Sequence, residues 1–407
     1  MGDDAPQYGR PRDLAVTLVV VGADAAVARA AGTLPVEVLH VRLPGAAPLE
    51  DGAGVAGELA ADFQHAPSFL AFVDEVLAPL RPAAVVSLTE LGLEAAAAAA
   101  RRLGVTGVPP EVVRATRNKL EMRRVLAARA PHLNPAFAAG DDADGVAGLF
   151  AAGGPVVAKP VSGTGSNAVA LVERPEDLPE DRRTAATLLE RYVEGREFSV
   201  ETLSSGGRHT FLGIAEKGTT DGFVEVSHIM PAPSLDADGR RAVERAVAEL
   251  LDAVGLTDGP SHTEVKTDGE RVTVIETHNR PGGDGIPDLV RLTTGVDWRR
   301  AALGWAVGVG PRREEGDVAP AAATVFLTAA PGRVTTVAPR PAPARATLVD
   351  WDVTVEPGDP VPPLRSSADR LGMATLTAPG TADCAAAVAE LTALPLVTTR
   401  AVEEGPR

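Results

Sequence analysis

Short apolar runs alternate with helical patterns along the first hundred residues of the chain. Residues 14–23, 36–41 and 83–88 are apolar runs of the kind that form buried parallel strands. Residues 69–80 have helical spacing, as does an alanine-rich stretch that stops at Gly104. This alternation of strands and helices predicts a small doubly wound α/β layer at the start of the chain.

The middle of the chain changes to longer helices around a set of strands. Helical spacing predicts three helices, at residues 111–129, 236–254 and 286–306. Strands are predicted, in part around a glycine-rich loop, at residues 155–159, 168–172 and 186–203. A stretch rich in proline and glycine, residues 308–320, predicts a boundary before a strand-rich remainder that includes a helix near residues 381–394.

A hairpin with unusual charges is predicted around Asp268-Gly269, which two strand-like runs flank. The second run is apolar but continues into Glu276, and the strand period of two places Val272, Val274 and Glu276 on one face. Carboxylates are rarely buried unless they are paired or bound to a metal. Together with Glu264 on the first strand, Glu276 suggests a divalent metal on a nucleotide phosphate. A surface hairpin with charges at its end is the alternative.

The loop length decides whether the two carboxylates can meet. A two-residue loop at Asp268-Gly269 would point Glu264 and Glu276 to opposite faces. A three-residue loop, with Gly269 as the left-handed bulge residue, pairs Glu264 with Val272 and returns both acids to one face. The metal interpretation therefore requires the bulged hairpin. It leaves the two positions roughly 13 Å apart along the strand, which two Glu side chains and a metal pair can span.

The glycine-rich loop at residues 162–167 is followed by a strand, so it does not fit the dinucleotide fingerprint, which needs a helix. A glycine-rich hairpin can still wrap phosphates with its backbone N–H groups. Lys159, just before the loop, follows three apolar strand residues and is costly to bury without an anionic partner. A flexible surface hairpin with a lysine reaching to solvent is the alternative.

Two further segments place acids in an apolar frame. Glu190, the backbone of Val193 and Glu197 match the needs of an adenine and a ribose, although an amphipathic strand with solvated acids gives the same pattern. Ser87, Thr89 and Glu90 lie at the carboxyl end of a predicted strand, where they form either a ligand site or, as the favoured interpretation, a helix cap. Neither a Ser–His–Asp order nor a Cys/His metal spacing is present, so the chemistry favours phosphate and metal handling.

Composition and charge narrow the partners. The 407 residues are 45% hydrophobic and 23% charged, as in ordinary globular proteins. A net charge of −16 argues against non-specific binding to nucleic acid or to an anionic membrane. The sequence has no apolar run long enough for a bilayer and no recognisable signal peptide, and its single cysteine, Cys384, excludes an intrachain disulfide. We therefore expect a protein of the reducing cytoplasm.

In this order, the motifs resemble the ATP-grasp superfamily of carboxylate–amine ligases, and within it the branch of bacterial L-amino acid ligases. The resemblance covers about residues 104–310. It rests on Asn118-Lys119 with Met122-Arg123, Lys159-Pro160 with the glycine-rich loop, residues 190–197, Glu264, and Glu276-x-His278-x-Arg280-x-Gly282-Gly283-Asp284. His278 departs from the family pattern, which usually has Asn there, so a metal contact by His278 or the neighbouring Asn279 is left open.

The resemblance implies an α/β fold of the α+β ATP-grasp type. An N-terminal doubly wound α/β domain would span residues 1–110, and the ATP-grasp domain, which clamps a nucleotide between two antiparallel sheets, residues 111–310. The glycine-rich loop would belong to a subdomain at about 118–190 and the metal site to one at about 190–310. Residues 311–407 would form a strand-rich C-terminal subdomain.

The resemblance also implies roles for individual residues. The ATP-binding residues would be Lys119, Lys159, Ser162, Gly163, Thr164, Gly165, Ser166, Glu190, Tyr192, Val193 and Glu197. Magnesium, as one or two ions for which Mn²⁺ can substitute, would bind to Glu264 and Glu276, with His278 as the open case. Arg280 and Lys159 would be catalytic. The residues around the substrates would be Glu90, Glu225, His228, Arg280, Gly282 and Gly283.

The implied reaction is ATP-dependent phosphorylation of a carboxylate followed by attack of an amine, which gives an amide, ADP and phosphate. A dipeptide-forming ligase is the leading expectation, with small-molecule substrates and a homodimer as the assembly. Another ATP-grasp ligation or carboxylation is the first alternative. A non-catalytic ATP-binding protein is the second, although this sequence keeps the carboxylates and the arginine that such a protein would be expected to lose.

Overall fold

The N-terminal layer is a parallel sheet in a computed structural model that describes residues 18–49 and 54–401. Its strands, in the spatial order β3-β2-β1-β4, are β1 (Leu18–Val21), β2 (Val38–Arg42), β3 (Gly57–Ala60) and β4 (Ala84–Val86). The helices α1 (Ala25–Gly32), α2 (Ala66–Phe72) and α3 (Leu93–Leu103) cover the sheet, α1 on one face and the other two on the opposite face. The doubly wound layer is confirmed, with β3 as an additional strand; residues 14–17 of the first predicted strand lie outside the described residues.

The turn after β4 differs from its predicted form. Thr89 is not the cap of α3, because the helix begins only at Leu93. The Thr89 hydroxyl lies 3.3 Å from Ser87 Oγ instead, and the Thr89 amide donates to the same Ser87 oxygen. At the other end, Gly104 adopts the left-handed conformation (φ 67°) that ends α3 as predicted.

One predicted helix, residues 111–129, is two helices in the structure: α4 (Pro110–Arg117) and α5 (Lys119–Arg129). Asn118 between them is extended, and its side-chain oxygen accepts from the amides of Leu120 and Glu121. This cap breaks the helix and restarts it. It thereby places Lys119 in the first turn of α5, where its side chain reaches the cleft between the two sheets described next.

A small antiparallel sheet forms one side of that cleft. Its order is β5-β8-β6-β7, and its elements are β5 (Phe137–Ala139), α6 (Ala143–Ala151), β6 (Val156–Pro160), β7 (Ala170–Val172) and β8 (Thr187–Arg191). Helix α6 packs on the outer face of the sheet through Val146 and Leu149. The predicted arrangement of two strands around the glycine-rich loop is confirmed.

A sheet of eight strands forms the other side, in the order β13-β12-β9-β10-β11-β14-β18-β16. Its first part comprises β9 (Arg196–Ser205), β10 (Arg208–Thr219), β11 (Glu225–Met230), α7 (Ala237–Val254), β12 (Gly259–Thr267) and β13 (Val272–His278). Helix α7 covers the face away from the cleft. The next predicted helix is again two, α8 (Ile286–Thr294) and α9 (Trp298–Gly304), because Gly295 is left-handed (φ 75°) and Asp297 caps the second.

The C-terminal residues extend this same sheet. They form β14 (Ala321–Phe326), β15 (Gly332–Val337), β16 (Thr347–Val353), β17 (Pro360–Val361), β18 (Gly372–Ala378), α10 (Thr381–Ala393) and β19 (Val397–Arg400). A separate small sheet has the order β17-β15-β19. Because β14 pairs with β11, the large sheet runs across the boundary predicted at residue 311. The division into three domains stays a prediction.

Candidate active site

The β12–β13 hairpin has a four-residue loop, so the predicted three-residue loop is wrong. Thr267 pairs with Val272, and Asp268 Oδ1 holds the loop by accepting from the amides of Glu270 and Arg271. Gly269 is left-handed (φ 99°), but the bulge that matters lies elsewhere. The predicted pairing of Glu264 with Val272 is therefore also wrong.

The bulge lies at Ile275, further along β13. Val265 pairs with Val274, and the next pair is Glu264 with Glu276, so Ile275 is the additional residue. Val274 packs into the core with Val265, whereas Glu276 lines the cleft, so the predicted common face of Val272, Val274 and Glu276 is wrong. The bulge instead places the two carboxylates directly across from each other, which corresponds to roughly 5 Å between Cβ atoms.

Arg123 of α5 holds this bulge. Its fully buried guanidinium donates to the carbonyl oxygens of Val274 (2.8 Å) and Ile275 (2.9 Å), and to Glu190 Oε2 (2.8 Å) on the small sheet. Lys159 pairs with the other oxygen of Glu190. Each oxygen of Glu190 thus binds one cation, and these pairs tie both sheets and α5 together at the cleft.

Glu264 is surrounded by donors on one oxygen. Its Oε1 accepts from Lys217 Nζ at 2.7 Å and lies 3.3 Å from His262 Nε2. Burial alone would raise the pKa of Glu264, but the adjacent Lys217 ammonium lowers it to about 2. The carboxylate is therefore ionised at neutral pH, as a ligand for a cation must be.

Glu276 is ionised for a similar reason. Lys119 Nζ lies 2.7 Å from its Oε2 and also donates to the Gly163 carbonyl oxygen at 2.9 Å. Burial would raise the pKa of Glu276, but the Lys119 charge holds it well below its usual range. His278 Nε2 lies 3.2 Å from Glu276 Oε1, so this histidine contacts a proposed metal ligand.

The glycine-rich loop covers the cleft and is held from the opposite side. Gly163, Gly165 and Ser166 all have positive φ, which a loop of small residues adopts at little cost. Ser166 Oγ donates to the Phe223 carbonyl oxygen at 2.8 Å, and Gly165 O accepts from the Ser367 amide at 3.1 Å. A cavity of about 400 Å³ lies beneath the loop between the two sheets.

The predicted nucleotide residues line this cavity together. They are Lys119, Lys159, Ser162, Gly163, Thr164, Gly165, Ser166, Glu190, Tyr192, Val193 and Glu197. Lys266 Nζ lies 5.0 Å from the centre of the Tyr192 ring and donates to the Val193 carbonyl oxygen. Glu197 lies 2.7 Å from Lys217 and 3.7 Å from Lys266.

Lys217 is a buried residue of this site that the sequence analysis missed. Its ammonium contacts three carboxylates, those of Glu197 and Glu264 at 2.7 Å and that of Glu225 at 3.0 Å. These are the residues predicted for ribose, metal and substrate. The signal was weaker than for Lys159, because Glu216 separates Lys217 from the apolar Ile214 and Ala215 of β10, whereas Lys159 directly follows three apolar residues of β6.

Glu90 contacts two residues that line the cleft, Arg280 and His278, and does not serve as a helix cap. Its carboxylate accepts from Arg280 Nε at 2.9 Å and from Arg117 Nε at 2.8 Å, and His278 Nδ1 lies 3.3 Å away. Burial would raise the pKa of Glu90, but these partners, His278 first, hold it well below its usual range. Arg280 lines the cavity beside it.

Glu225 and His228 line the cavity near Ser367, a residue of the C-terminal segment. Ser367 Oγ donates to Glu225 Oε2 at 3.0 Å. His228 packs edge-on against the ring of Phe326, with 5.7 Å between ring centres. Burial, with a further contribution from nearby Lys217, lowers the pKa of His228 to about 3, so the imidazole is neutral at physiological pH.

The two glycines after Arg280, Gly282 and Gly283, have different surroundings. Gly283 lines the cavity, and its contact with a substrate stays a prediction. Gly282 is held away from it, because its N–H group donates to the buried carboxylate of Glu201 at 3.0 Å. A direct contact between the Gly282 amide and a substrate, as predicted, is therefore not supported.

Two segments of this chain match known protein families. Residues 152–288 match the ATP-grasp domain, and residues 325–397 match L-amino acid ligase C-terminal domain 2. The chain therefore contains an ATP-grasp domain followed by a segment similar to the C-terminal domain of L-amino acid ligases.

Two curated proteins are similar to longer parts of this chain. Carnosine synthase 1 from Gallus gallus is 29% identical over 57% of this chain and 28% of its own length. An uncharacterized protein, y4rH, from Sinorhizobium fredii is 31% identical over 51% of this chain and 45% of its own length. The chain thus spans less than half the length of these two curated relatives.

A solved structure shares the whole fold. The L-amino acid ligase from Bacillus licheniformis superposes with a TM-score of 0.77 over 95% of this chain and 99% of its own, at 22% identity. The ATP-grasp fold expected from the sequence is thereby confirmed. Across residues 18–49 and 54–401, no helix combines the length and the apolar character needed to cross a membrane.

The ATP-grasp cleft fits a magnesium ion carried by a nucleotide. Within the described part of the chain, no three histidine, cysteine or acidic side chains cluster closely enough to hold an ion alone. Two facing carboxylates, Glu264 and Glu276, suit Mg²⁺, which takes one or two protein carboxylates and completes its octahedron with water and phosphate oxygens. The donor set is oxygen-rich, as a hard cation requires.

Proposed function

We propose that this protein is an ATP- and magnesium-dependent ligase that joins a carboxylate to an amine as an amide and releases ADP and phosphate. The observation that carries the proposal is the direct pairing of Glu264 with Glu276 across one cavity that also holds Lys119, Lys159 and Arg280. Paired carboxylates with three cations suit the transfer of a phosphoryl group, which is catalysed mainly by positioning and charge neutralisation.

The chemistry divides into two displacements. A substrate carboxylate oxygen attacks the γ-phosphorus of ATP, and ADP leaves. The amine nitrogen then attacks the acyl carbon, loses a proton, and phosphate leaves. Magnesium held by Glu264 and Glu276 would neutralise the charge on the phosphates. Lys119, Lys159 and Arg280 line the same cavity. In this proposal the two lysines contact the ATP phosphates, and the charge of Arg280 stabilises the acyl phosphate and the tetrahedral intermediate.

For the nucleotide, the proposed contacts are the glycine-rich loop for the phosphates, Glu190, Tyr192 and Val193 for adenine, and Glu197 for ribose. For the substrates, they are Glu90, Glu225 and His228 together with Gly283. We propose an amino acid as the carboxylate substrate and a second amino acid as the amine, so that the product is a dipeptide. The match to an L-amino acid ligase domain and the carnosine synthase relative support this choice. A cytoplasmic location and a homodimer are parts of the same proposal.

The test is a reaction with ATP, Mg²⁺ and single or paired amino acids, followed by measurement of ADP, phosphate and product mass. Phosphate release that needs two amino acids, with a product mass equal to their sum minus water, would support dipeptide ligation. Release with other acid–amine pairs alone would retain the ligase and reject the amino acid substrates. No release with any pair, despite ATP binding, would favour the non-catalytic alternative.

Two variants test the assigned residues. Arg280→Ala is expected to lower turnover by about 10²-fold or more while ADP binding is retained, because the arginine acts on charge that develops during the reaction. His228→Ala is expected to raise the KM of one substrate and leave nucleotide binding intact. Arg299→Ala, which breaks an ion pair with Asp288 away from the cavity, is the control. Unchanged turnover in the Arg280 variant would refute its assignment, and weakened nucleotide binding in the His228 variant would refute that one.

A further inference from the structure

Glu201 is a carboxylate with no exposed surface, on β9 behind the wall of the cavity. Three donors from separate segments bind it: His262 Nδ1 at 2.6 Å, the Gly282 amide at 3.0 Å and Trp298 Nε1. Burying a charged group costs several kcal/mol unless donors replace water, so a site with three donors is built to hold a carboxylate in one place. The proposed reaction assigns this residue no role.

One of these contacts leads to the metal site. The sheet register places His262 directly across from Glu201, and the other ring nitrogen, Nε2, lies 3.3 Å from Glu264 Oε1. The imidazole therefore spans the two carboxylates. It fixes Oε1 of Glu264 from one side while Lys217 holds the same oxygen from the other, which determines the direction in which the second oxygen points.

A second contact leads to the loop after β13. A side chain at Gly282 would place its Cβ 2.7 Å from His262 Nδ1 and 2.9 Å from Glu201 Oε1, so only glycine brings this amide onto Glu201. Arg280 precedes Gly282 by two residues and Gly283 follows it, and both line the cavity. The carboxylate of Glu201 thus anchors the segment that carries them.

We propose that Glu201 is a positioning residue that sets two parts of the site at once: the carboxylate of Glu264, through His262, and the loop of Arg280 and Gly283, through the Gly282 amide. This role rests on the proposed function of the same site, in which Glu264 holds magnesium. Replacing Glu201 by Gln keeps the size of the side chain but removes its charge and turns an NH₂ group toward one of three donors. Both supports are then weakened together.

The experiment measures ADP binding with and without Mg²⁺ by calorimetry, and turnover with the best acid–amine pair, in Glu201→Gln. We expect the effect of Mg²⁺ on ADP affinity, and kcat, to fall by about tenfold or more, as is typical when the partner of a metal ligand is removed. Metal-free ADP affinity should stay as in the unchanged protein. Glu216→Gln is the matched control, because Glu216 is a largely buried carboxylate on the adjacent strand that binds Arg196 and the Ser234 amide instead.

Folded Glu201→Gln protein with unchanged magnesium dependence and turnover would overturn the proposal. An equal loss of metal-free and magnesium-dependent binding would also overturn it, because that result indicates a merely structural role. If Glu201→Gln fails to fold, the His262→Ala variant tests the proposal instead. This change removes the contact between Glu201 and Glu264, while the Gly282 amide and the Trp298 indole still bind Glu201. The same selective loss of the magnesium effect supports the proposal, and an unchanged effect refutes it.

The two proposals fail in different ways. An absence of phosphate release in the unchanged protein, together with a weakened magnesium effect in Glu201→Gln, would remove the ligase activity and retain the positioning role. Normal ligation in the unchanged protein and in Glu201→Gln would support the ligase activity and refute the positioning role. If Mg²⁺ has no effect on ADP binding in the unchanged protein and no acid–amine pair releases phosphate, both proposals are wrong.

Discussion

Two histidines are buried beside the cavity, one at the proposed metal site and one beside proposed substrate residues, and their imidazoles have opposite surroundings. We call these two regions the metal end and the substrate end. At the metal end, His262 lies between the carboxylates of Glu201 and Glu264; burial would lower its pKa, but the carboxylates, Glu201 first, raise it to about 9. At the substrate end, His228 lies against the Phe326 ring, and burial lowers its pKa to about 3. The metal end balances close opposite charges, whereas the substrate end offers a neutral ring that can donate and accept hydrogen bonds.

The two ends also differ in how the chain builds them. The two proposed metal ligands, Glu264 and Glu276, come from one hairpin, β12–β13. The proposed substrate residues come from separate segments: Glu90 follows β4 of the N-terminal layer, whereas Glu225 of β11 binds Ser367 of the C-terminal segment. A side-chain change at the metal end is therefore expected to abolish the reaction, and a change at the substrate end to adjust it.

The largest effect is expected from Glu276→Gln. Loss of one of two facing carboxylates removes a ligand from a metal that is worth several kcal/mol to phosphoryl transfer, so turnover should fall by about 10²-fold or more. ADP binding in the absence of metal should be retained, and turnover at saturating MgATP is the measurement. Near-normal turnover would contradict the assignment of the metal end.

Next in size is the effect of Lys217→Met on stability. Removing this ammonium leaves the carboxylates of Glu197, Glu225 and Glu264 close together and uncompensated, which should lower the free energy of unfolding by about 3 kcal/mol or more. Urea unfolding measures it. Lys266→Met is the control, because Lys266 has only one carboxylate partner, at 3.7 Å. An equal loss of unfolding free energy in both variants would mean that the contacts of Lys217 with three carboxylates are not the cause of the effect.

The two histidines predict opposite dependences of stability on pH. The folded-state pKa of His262 is raised, so its contribution is complete below about pH 6.5 and is lost as the pH rises to about 9. The pKa of His228 is lowered, so the unfolded chain binds a proton more readily and stability falls as the pH decreases from about 6.5 to about 3. Each effect is at most about 3–5 kcal/mol, from the size of the shift.

Two substitutions separate these contributions. His262→Asn should flatten the alkaline part of the curve of unfolding free energy against pH, and His228→Asn should flatten part of the acid side. Urea unfolding at a series of pH values measures both. If His262→Asn changes only the acid side, the interpretation of the metal end as the carboxylate-rich end is wrong.

The smallest effect is expected from Ser367→Ala at the substrate end. The lost hydroxyl leaves Glu225 with one donor fewer, at a cost of about 1 kcal/mol. That cost corresponds to a rise of about fivefold in the KM of one substrate, with kcat little changed. Steady-state kinetics with Thr335→Ala as the control tests this, because the Thr335 hydroxyl bonds to Thr398 on the exposed edge of the small C-terminal sheet. A fall in kcat alone would argue against a role of Ser367 in substrate binding.

Local sequence patterns were sufficient where a residue's own neighbours determine its environment. Lys159 follows three apolar strand residues, and it is buried against an acid as that pattern requires. The parallel layer, the strand pair around the glycine-rich loop and the stop at Gly104 follow from patterns of the same kind. These features depend on spacing within a few residues, which the sequence displays directly.

The register of the hairpin and the place of Glu90 could not be obtained in this way. The bulge at Ile275 is held by Arg123, a residue 152 positions away. Glu90 looked like part of a helix cap because its partner, Arg280, is 190 positions away and comes close only in the folded chain. Both errors arose where a distant side chain, rather than local propensity, determines the geometry.

The position of β14 inside the large sheet limits how this protein can be recombined with its relatives. Since β14 pairs with β11 on one side and β18 on the other, a graft that begins at residue 325 would cut an interior strand between Thr324 and Val325, two residues before the strand ends. A crossover within residues 308–320 would transfer β14 intact together with Ser367 and Arg370. A chimera made there would therefore inherit the donor's contacts to Glu225 and Asp284, and with them part of its substrate preference.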